Sequence, residues 1–375
     1  MKKIALVLGS LLVVGAVASA KEVMPAPEAT PEKVVEYVEK PVIVYRDREV
    51  APAWKPNGSF DIKETWYGEA ENKTPGEDTD KDWARGRTNA GRLQMLLNLN
   101  FTQKQSLQIR SRTYQTFRST DSGKSGKSAD HLRFRYHYDF GKLGTSKVNA
   151  KSRLEYSQSN GDEGTKQVKA SVLFDITDYF PSSDYFKVES FGFRPGYTHR
   201  WTGHGSGVEG QSFSSGTANR YTLDFESTYK LPWGFSAELN LYSGYDRHNK
   251  RFAVGTNGDT KKGQFYGYME AYLYQHTPLY KINNVEFAFD FEGGYDTYEF
   301  RQYKVIANHE GRRTDRRSYS LYMTPYLSVS YKPTDFVKLY VAAGAEYRNW
   351  AVEAESEAKN WRWQPTAWAG MKVTF

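Results

Sequence analysis

Two sets of charged residues recur at spacings that could do chemistry together. Arg92, Arg110, Arg112, Arg133, Arg135, Lys151 and Arg153 lie in the first half of the chain, and Asp224, Glu226, Glu238, Glu270, Asp290 and Glu292 in the second. Within each segment the like charges sit an even number of residues apart, so on an extended chain they share one face. Guanidinium and ammonium groups hold anions, and carboxylates attract cations. A basic wall facing an acidic wall across water would set up a transverse field that orients dipolar solutes and biases ion passage. The plainer alternative is that these charges hydrate a water-filled interior or pair locally, where each pair contributes little. Tyr266, Tyr268, Tyr272 and Tyr274 follow the same even spacing and could form a sugar-guiding track, although a chain with 28 Tyr already places some there.

Other constellations fail their own chemistry. Gly205, Gly207 and Gly210 match a G-x-G-x-x-G string, but no buried parallel strand precedes it and no helix follows, so they read as loop glycines. Asp78, Asp80 and Asp82 match the first half of a calcium loop. Trp83 stands where that loop needs Gly, and Asn89 where it needs a bidentate Glu. His131 and His137 would lie ~20 Å apart along a strand, too far to share a metal. No His–Ser or His–Asp pairing is singled out for hydrolysis. With no Cys, thiolate zinc sites and cysteine nucleophiles are excluded. No catalytic residue, metal or cofactor is expected, and the basic balance of +7 comes with no nucleic-acid recognition motif.

The elements that must position the charges are strands. From His131 to Phe140, Leu132, Phe134, Tyr136, Tyr138 and Phe140 alternate with His131, Arg133, Arg135, His137 and Asp139. A helix would scatter both sets around its axis, whereas a strand separates them. The same alternation predicts fourteen strands, near 58–69, 87–101, 106–118, 131–140, 147–157, 166–177, 186–198, 219–229, 235–245, 264–276, 285–303, 317–331, 336–349 and 359–375. Sixteen would follow if a long loop hid a hairpin. In the seventh, Phe191, Phe193 and Tyr197 share a register that Phe186 and Val188 break, which calls for a bulge. The runs exceed the ~5–6 residues of ordinary globular strands and match the ~9–11 that a tilted strand needs to cross a bilayer. Short connectors alternate with long polar ones. The fold class is therefore all-β: a transmembrane antiparallel β-barrel with short periplasmic turns and long extracellular loops. A soluble barrel of fourteen strands would enclose more interior than side chains can fill. The long loop from His199 to Ala218 could fold inward and narrow the lumen.

The ends of the chain set the compartment. Lys2 and Lys3, the apolar run Ile4–Val17 and Ala18-Ser19-Ala20 read as a signal peptide over residues 1–20. Residues 21–57 carry six prolines and read as a periplasmic segment denied a stable central strand; Thr30-Pro31-Glu32 could start a short helix through Tyr37. Residues 58–375 form the barrel. Met371, Val373 and Phe375 close an amphipathic strand on a terminal aromatic, so Phe375 is expected to be the C-terminal assembly signal of an outer-membrane barrel. A mean hydropathy of −0.72 and the absence of any long apolar run after the signal exclude a helical membrane protein, and 15% aromatics exclude a disordered chain. Ala343, Ala345, Ala367 and Ala369 on the outward face are small enough for a neighbouring subunit to pack against.

The stretches MKKIALVLGSLLVVGAVASAKEVMPAP and PEKVVEYVEKPVIVYRDREVAPAWKPNGS, together with NAGRLQ, SVLFD, FRPGY, HTPLYK, EGGYDTY, SYKPTDFVKLYVAAGAEYRN and the ending WRWQPTAWAGMKVTF, resemble the FomA-type major outer-membrane porins of fusobacteria. The resemblance implies a homotrimeric, weakly selective, voltage-sensitive diffusion pore in the bacterial outer membrane, surrounded by lipid and passing ions and small hydrophilic solutes. It also implies loops that act as an adhesin toward the surfaces of other bacteria. The contrasting expectation is a plugged barrel that serves mainly as an adhesin or surface receptor.

Overall fold

The structure is a computed structural model and describes residues 32–38, 42–48, 54–71, 89–116, 130–160, 165–183, 185–204, 214–254, 259–296, 300–302, 320–349 and 361–375. The calcium-like acidic run, the glycine string at 205–210 and the signal segment lie outside these residues.

Two strands, β1 (Glu32–Val38) and β2 (Val42–Arg48), pair antiparallel as a separate sheet. The helix expected to run through Tyr37 is not formed. None of the segment's prolines falls inside either strand: in sequence, Pro31 comes just before β1 and Pro41 just before β2. The prolines thus flank the paired strands in sequence and do not interrupt them.

The remaining strands form a closed barrel. They are β3 (Asn57–Tyr67), β4 (Ala90–Asn100), β5 (Gln105–Thr116), β6 (Asp130–Lys142), β7 (Asn149–Asn160), β8 (Thr165–Asp175), β9 (Lys187–His204), β10 (Ser214–Lys230), β11 (Phe235–Val254), β12 (Asp259–Ile282), β13 (Val285–Asp296), a two-residue β14 (Phe300–Arg301), β15 (Ser320–Thr334), β16 (Val337–Asn349) and β17 (Trp361–Thr374). Each long strand pairs antiparallel with its neighbours in sequence, and β17 returns to β3, so fourteen long strands close the ring with no free edge. Closure gives every long strand a hydrogen-bonded neighbour on both sides, which a sheet in lipid requires.

Register fixes which face is which. Leu132, Leu154, Phe193, Leu223, Leu327 and Val341 are among the large apolar side chains exposed on the outer face, while Arg110, Asp224 and Gln364 on the other face are 0–2% exposed. Apolar outside and polar inside is the arrangement of a barrel whose solvent is the bilayer.

One rim carries tight turns. β12 and β13 are joined by Asn283-Asn284, with Asn283 at φ 50°, a region Asn tolerates better than most residues. β10 and β11 are joined through Trp233 and Gly234, both at positive φ. A side chain at Gly234 would also lie 2.3 Å from the His276 carbonyl oxygen of β12. Both barrel ends meet at this rim: Gly58 N–H donates to the Phe375 carbonyl at 2.7 Å, and Phe375 N–H donates back at 3.0 Å. The predicted bulge is present, since the β9–β10 register shifts between Thr228 and Tyr229 and brings Val188 into line with Phe191. On the opposite rim, β9 to β12 run 18, 17, 20 and 24 residues, longer than the sequence reading. Much of what reads as loop after His199 and Asp246 is paired strand. The tip of the loop from 199 to 218 is outside the described residues, so its inward folding is not addressed.

Candidate functional site: the charged interior of the barrel

Strand pairing carries the interior face around the ring, one position to the next. Arg92 stands opposite Thr65; Arg112 opposite Gln94 and His131; Arg110 opposite Leu96 and Arg133; and Arg135 opposite Gln108 and Glu155. Arg153 lies opposite His137, and Lys151 opposite Asp139. Further round, Asp224 faces Arg194 and Tyr242, Glu226 faces Asn240, Asn240 faces Glu270, Glu238 faces Tyr272, and Asp290 and Glu292 face His276 and Tyr274. All thirteen charged positions singled out in the sequence therefore lie on the interior face.

The basic side, β4 to β7, is crowded. Arg112 donates from Nε to Gln94 at 2.8 Å, and Arg133 from Nη2 to Gln108 at 2.8 Å. Glu155 enters this group between Arg135 at 2.5 Å and Arg153 at 3.9 Å. The basic wall thus carries its own carboxylate, at the same parity as Lys151 and Arg153, two residues beyond the last basic residue the sequence reading chose.

The acidic side is also partly paired, by basic groups the sequence reading left out. Lys169 of β8 reaches past β9 to Asp224 at 3.0 Å. Arg194 grips Glu226 through two donors at 2.7 and 2.6 Å, and Arg220 grips Asp246 through two at 2.6 Å. Forked guanidinium–carboxylate pairs of this kind are the strong form of the interaction. Lys169 is legible as the polar partner of Val168 and Ala170; Arg194 is hidden in a bulged strand, and Arg220, although inside the predicted strand 219–229, pairs with Asp246, which reads as the start of a loop. Glu238 accepts from Asn240 at 2.5 Å, Glu292 from the Tyr322 hydroxyl at 2.9 Å, and Asp290 meets His276 at 2.6 Å.

The interior tyrosines form packed pairs and not a continuous ladder. Tyr242 and Tyr268 stack at 4.7 Å, and the Arg220 guanidinium lies 4.1 Å above the Tyr266 ring. Tyr340 crosses β17 over Gly370 and donates to Asp61 of β3 at 2.6 Å. A side chain at Gly370 would lie 2.4 Å from that ring. Among the described residues, no group of three or more His, Asp or Glu is placed to hold a metal ion.

No protein-family model matches the chain. No curated protein sequence matches it either. Solved structures similar in general shape include a bacterial polysaccharide outer membrane secretin (7% identity, 85% of this chain and 98% of that one, TM-score 0.33). Two others are the outer membrane channel DcaP of Acinetobacter baumannii (8%, 86% and 96%, 0.33) and the NanC porin (10%, 84% and 100%, 0.32). At these scores the description of the chain rests on its own register and faces.

Proposed function

We propose that the chain is a diffusion channel of a bacterial outer membrane, passing ions and small hydrophilic solutes. The observation that carries this reading is the two-sidedness of the closed ring. Its outer face is apolar, and its inner face is lined by ionic and hydrogen-bonding groups at nearly every position. In this reading the tight-turn rim is periplasmic, with residues 21–57 beside it after removal of residues 1–20. The long-strand rim is extracellular, and Phe375 is the residue read during assembly. Arg92, Arg110, Arg112, Arg133, Arg135, Lys151 and Arg153 act as pore-lining basic groups, opposed by Asp224, Glu226, Glu238, Glu270, Asp290 and Glu292. The FomA-type resemblance adds a homotrimer, closure under voltage and adhesive loops to the proposal.

A second reading draws on the deep burial of Arg110, Arg112 and Arg133. A lumen crowded enough to cover them could stop flow, leaving a surface receptor or adhesin. The experiment is single-channel recording of the purified, folded chain in a planar bilayer. Large stable conductance steps, closing in thirds, are expected. Absence of steps from heat-modifiable protein would move the function to the surface loops.

A further inference from the structure

The basic side of the interior contains a guanidinium that the fold buries without satisfying. Arg110 is 0% exposed, and among the described residues none of its three side-chain nitrogens has a hydrogen-bond partner. Its cross-strand neighbour is Arg133, 1% exposed, whose Nε and Nη1 also lack partners. One ladder step away, neither ring nitrogen of buried His131 has one. Like charges directly opposite on a sheet repel, and a buried unpaired charge costs several kcal/mol. Glu155 offsets part of this, but its contacts are to Arg135 and Arg153, on the side of the cluster away from Arg110. A guanidinium offers donors and no acceptor, so only an acceptor can complete the set. No described side chain supplies one to Arg110.

We infer that Arg110, Arg133 and His131 form a binding site for an oxyanion, with inorganic phosphate and phosphate- or carboxylate-bearing solutes as the ligand class. Several oxygens on one small anion match the forked donors of two adjacent guanidinium groups, and the His131 ring adds a third donor. The polar Gln94 and Gln108 side chains flank the site and hold Arg112 and Arg133 in place. Arg135 and Arg153, on the same face further along β6 and on β7, are more exposed than Arg110 and add basic charge beside the site. The ion enters by displacing side chains that cover Arg110. The inference deepens the channel reading by naming a solute class, and it rests on that reading for the site's use in transport.

The test is thermal unfolding of the folded full chain in detergent, with inorganic phosphate titrated against sodium chloride at matched ionic strength. A saturable rise in unfolding temperature with phosphate, absent with chloride, is expected. Arg110→Gln and Arg133→Gln should each weaken the apparent phosphate affinity by about tenfold or more, while Arg251→Gln, on β11 at the long-strand rim, leaves it unchanged. Because removing a buried charge can itself alter stability, calorimetric titration of phosphate at constant temperature reads binding directly in each variant. Equal effects of phosphate and chloride on the wild-type chain, or phosphate affinity unchanged in both Arg variants, would overturn the inference. The readout needs no current. Conducting protein that ignores phosphate defeats this inference alone, whereas protein that binds phosphate but never conducts defeats the channel reading and leaves the site.

Discussion

At the scale of single residues, the interior is organised by pairing as much as by sign. Arg194 and Glu226 illustrate the energetics, with side chains 8% and 26% exposed and two short bonds between them. Removing Arg194 alone leaves a carboxylate that water reaches only in part. Arg194→Met is therefore expected to destabilise the barrel by about 1–3 kcal/mol, less than a fully buried pair would cost. Arg194→Met combined with Glu226→Gln should recover most of that loss. Urea unfolding of the four proteins in a double-mutant cycle gives the coupling, and a coupling near zero would mean the pair is solvated. The parity of the thirteen predicted charges was legible in the sequence because alternation places them on one face whatever their partners. Their partners were not. Lys169 reaches Asp224 across an intervening strand, a contact set by barrel curvature that no linear spacing encodes.

At the scale of elements, the strands were legible wherever one face must be apolar. β6 and β13 read clearly because lipid outside and water inside impose a period of two. Beyond the bilayer that constraint ends. β12 has 24 residues, roughly 80 Å at 3.3 Å each, far more than a crossing needs, and its first six, Asp259 to Gln264, carry no apolar side chain on either face. Such a segment has the composition of a loop and the hydrogen bonds of a strand. β1 and β2 are hard to read for a related reason: the segment is rich in proline, but its prolines fall between and beside the strands and not inside them. Turns carry their own determinants. Gly234 combines φ 75° with the His276 carbonyl, where an added Cβ would lie 2.3 Å away. Gly234→Ala should cost at least about 1–2 kcal/mol for the left-handed backbone alone, plus the displacement of β12. Refolding into detergent micelles, followed by heat-modifiable mobility, should give a lower folded yield and an earlier unfolding transition. Gly144, at φ 57° with nothing within 4 Å of its added Cβ, should respond more mildly to the same change.

At the scale of the whole molecule, selectivity depends on whether the two sides of the ring keep their own sign after local pairing. On β4 to β7, Arg110 and Arg133 retain donors with no acceptor among the described residues. On β11 and β13, Glu238 and Glu292 are held by the neutral groups of Asn240 and Tyr322, so those contacts leave their charge uncancelled. Each wall then contributes a field of its own sign, and the two oppose each other in net ion preference while adding in the transverse direction. This arrangement predicts mirror-image mutants. Replacing Arg110, Arg112, Arg133 and Arg135 with Gln should move the reversal potential under a salt gradient toward cations, and Glu238→Gln with Glu292→Gln should move it toward anions. Each shift should correspond to roughly a factor of two in permeability ratio at 0.1 M salt. Both shifts should shrink at 1 M, where the Debye length falls to about 3 Å and no longer spans the interior. If neither set moves the reversal potential while conductance persists, the interior charges are cancelled locally, and the two-wall field does not exist. If only the arginine set moves it, the acidic side is neutral in the folded barrel, and selectivity belongs to the basic cluster alone.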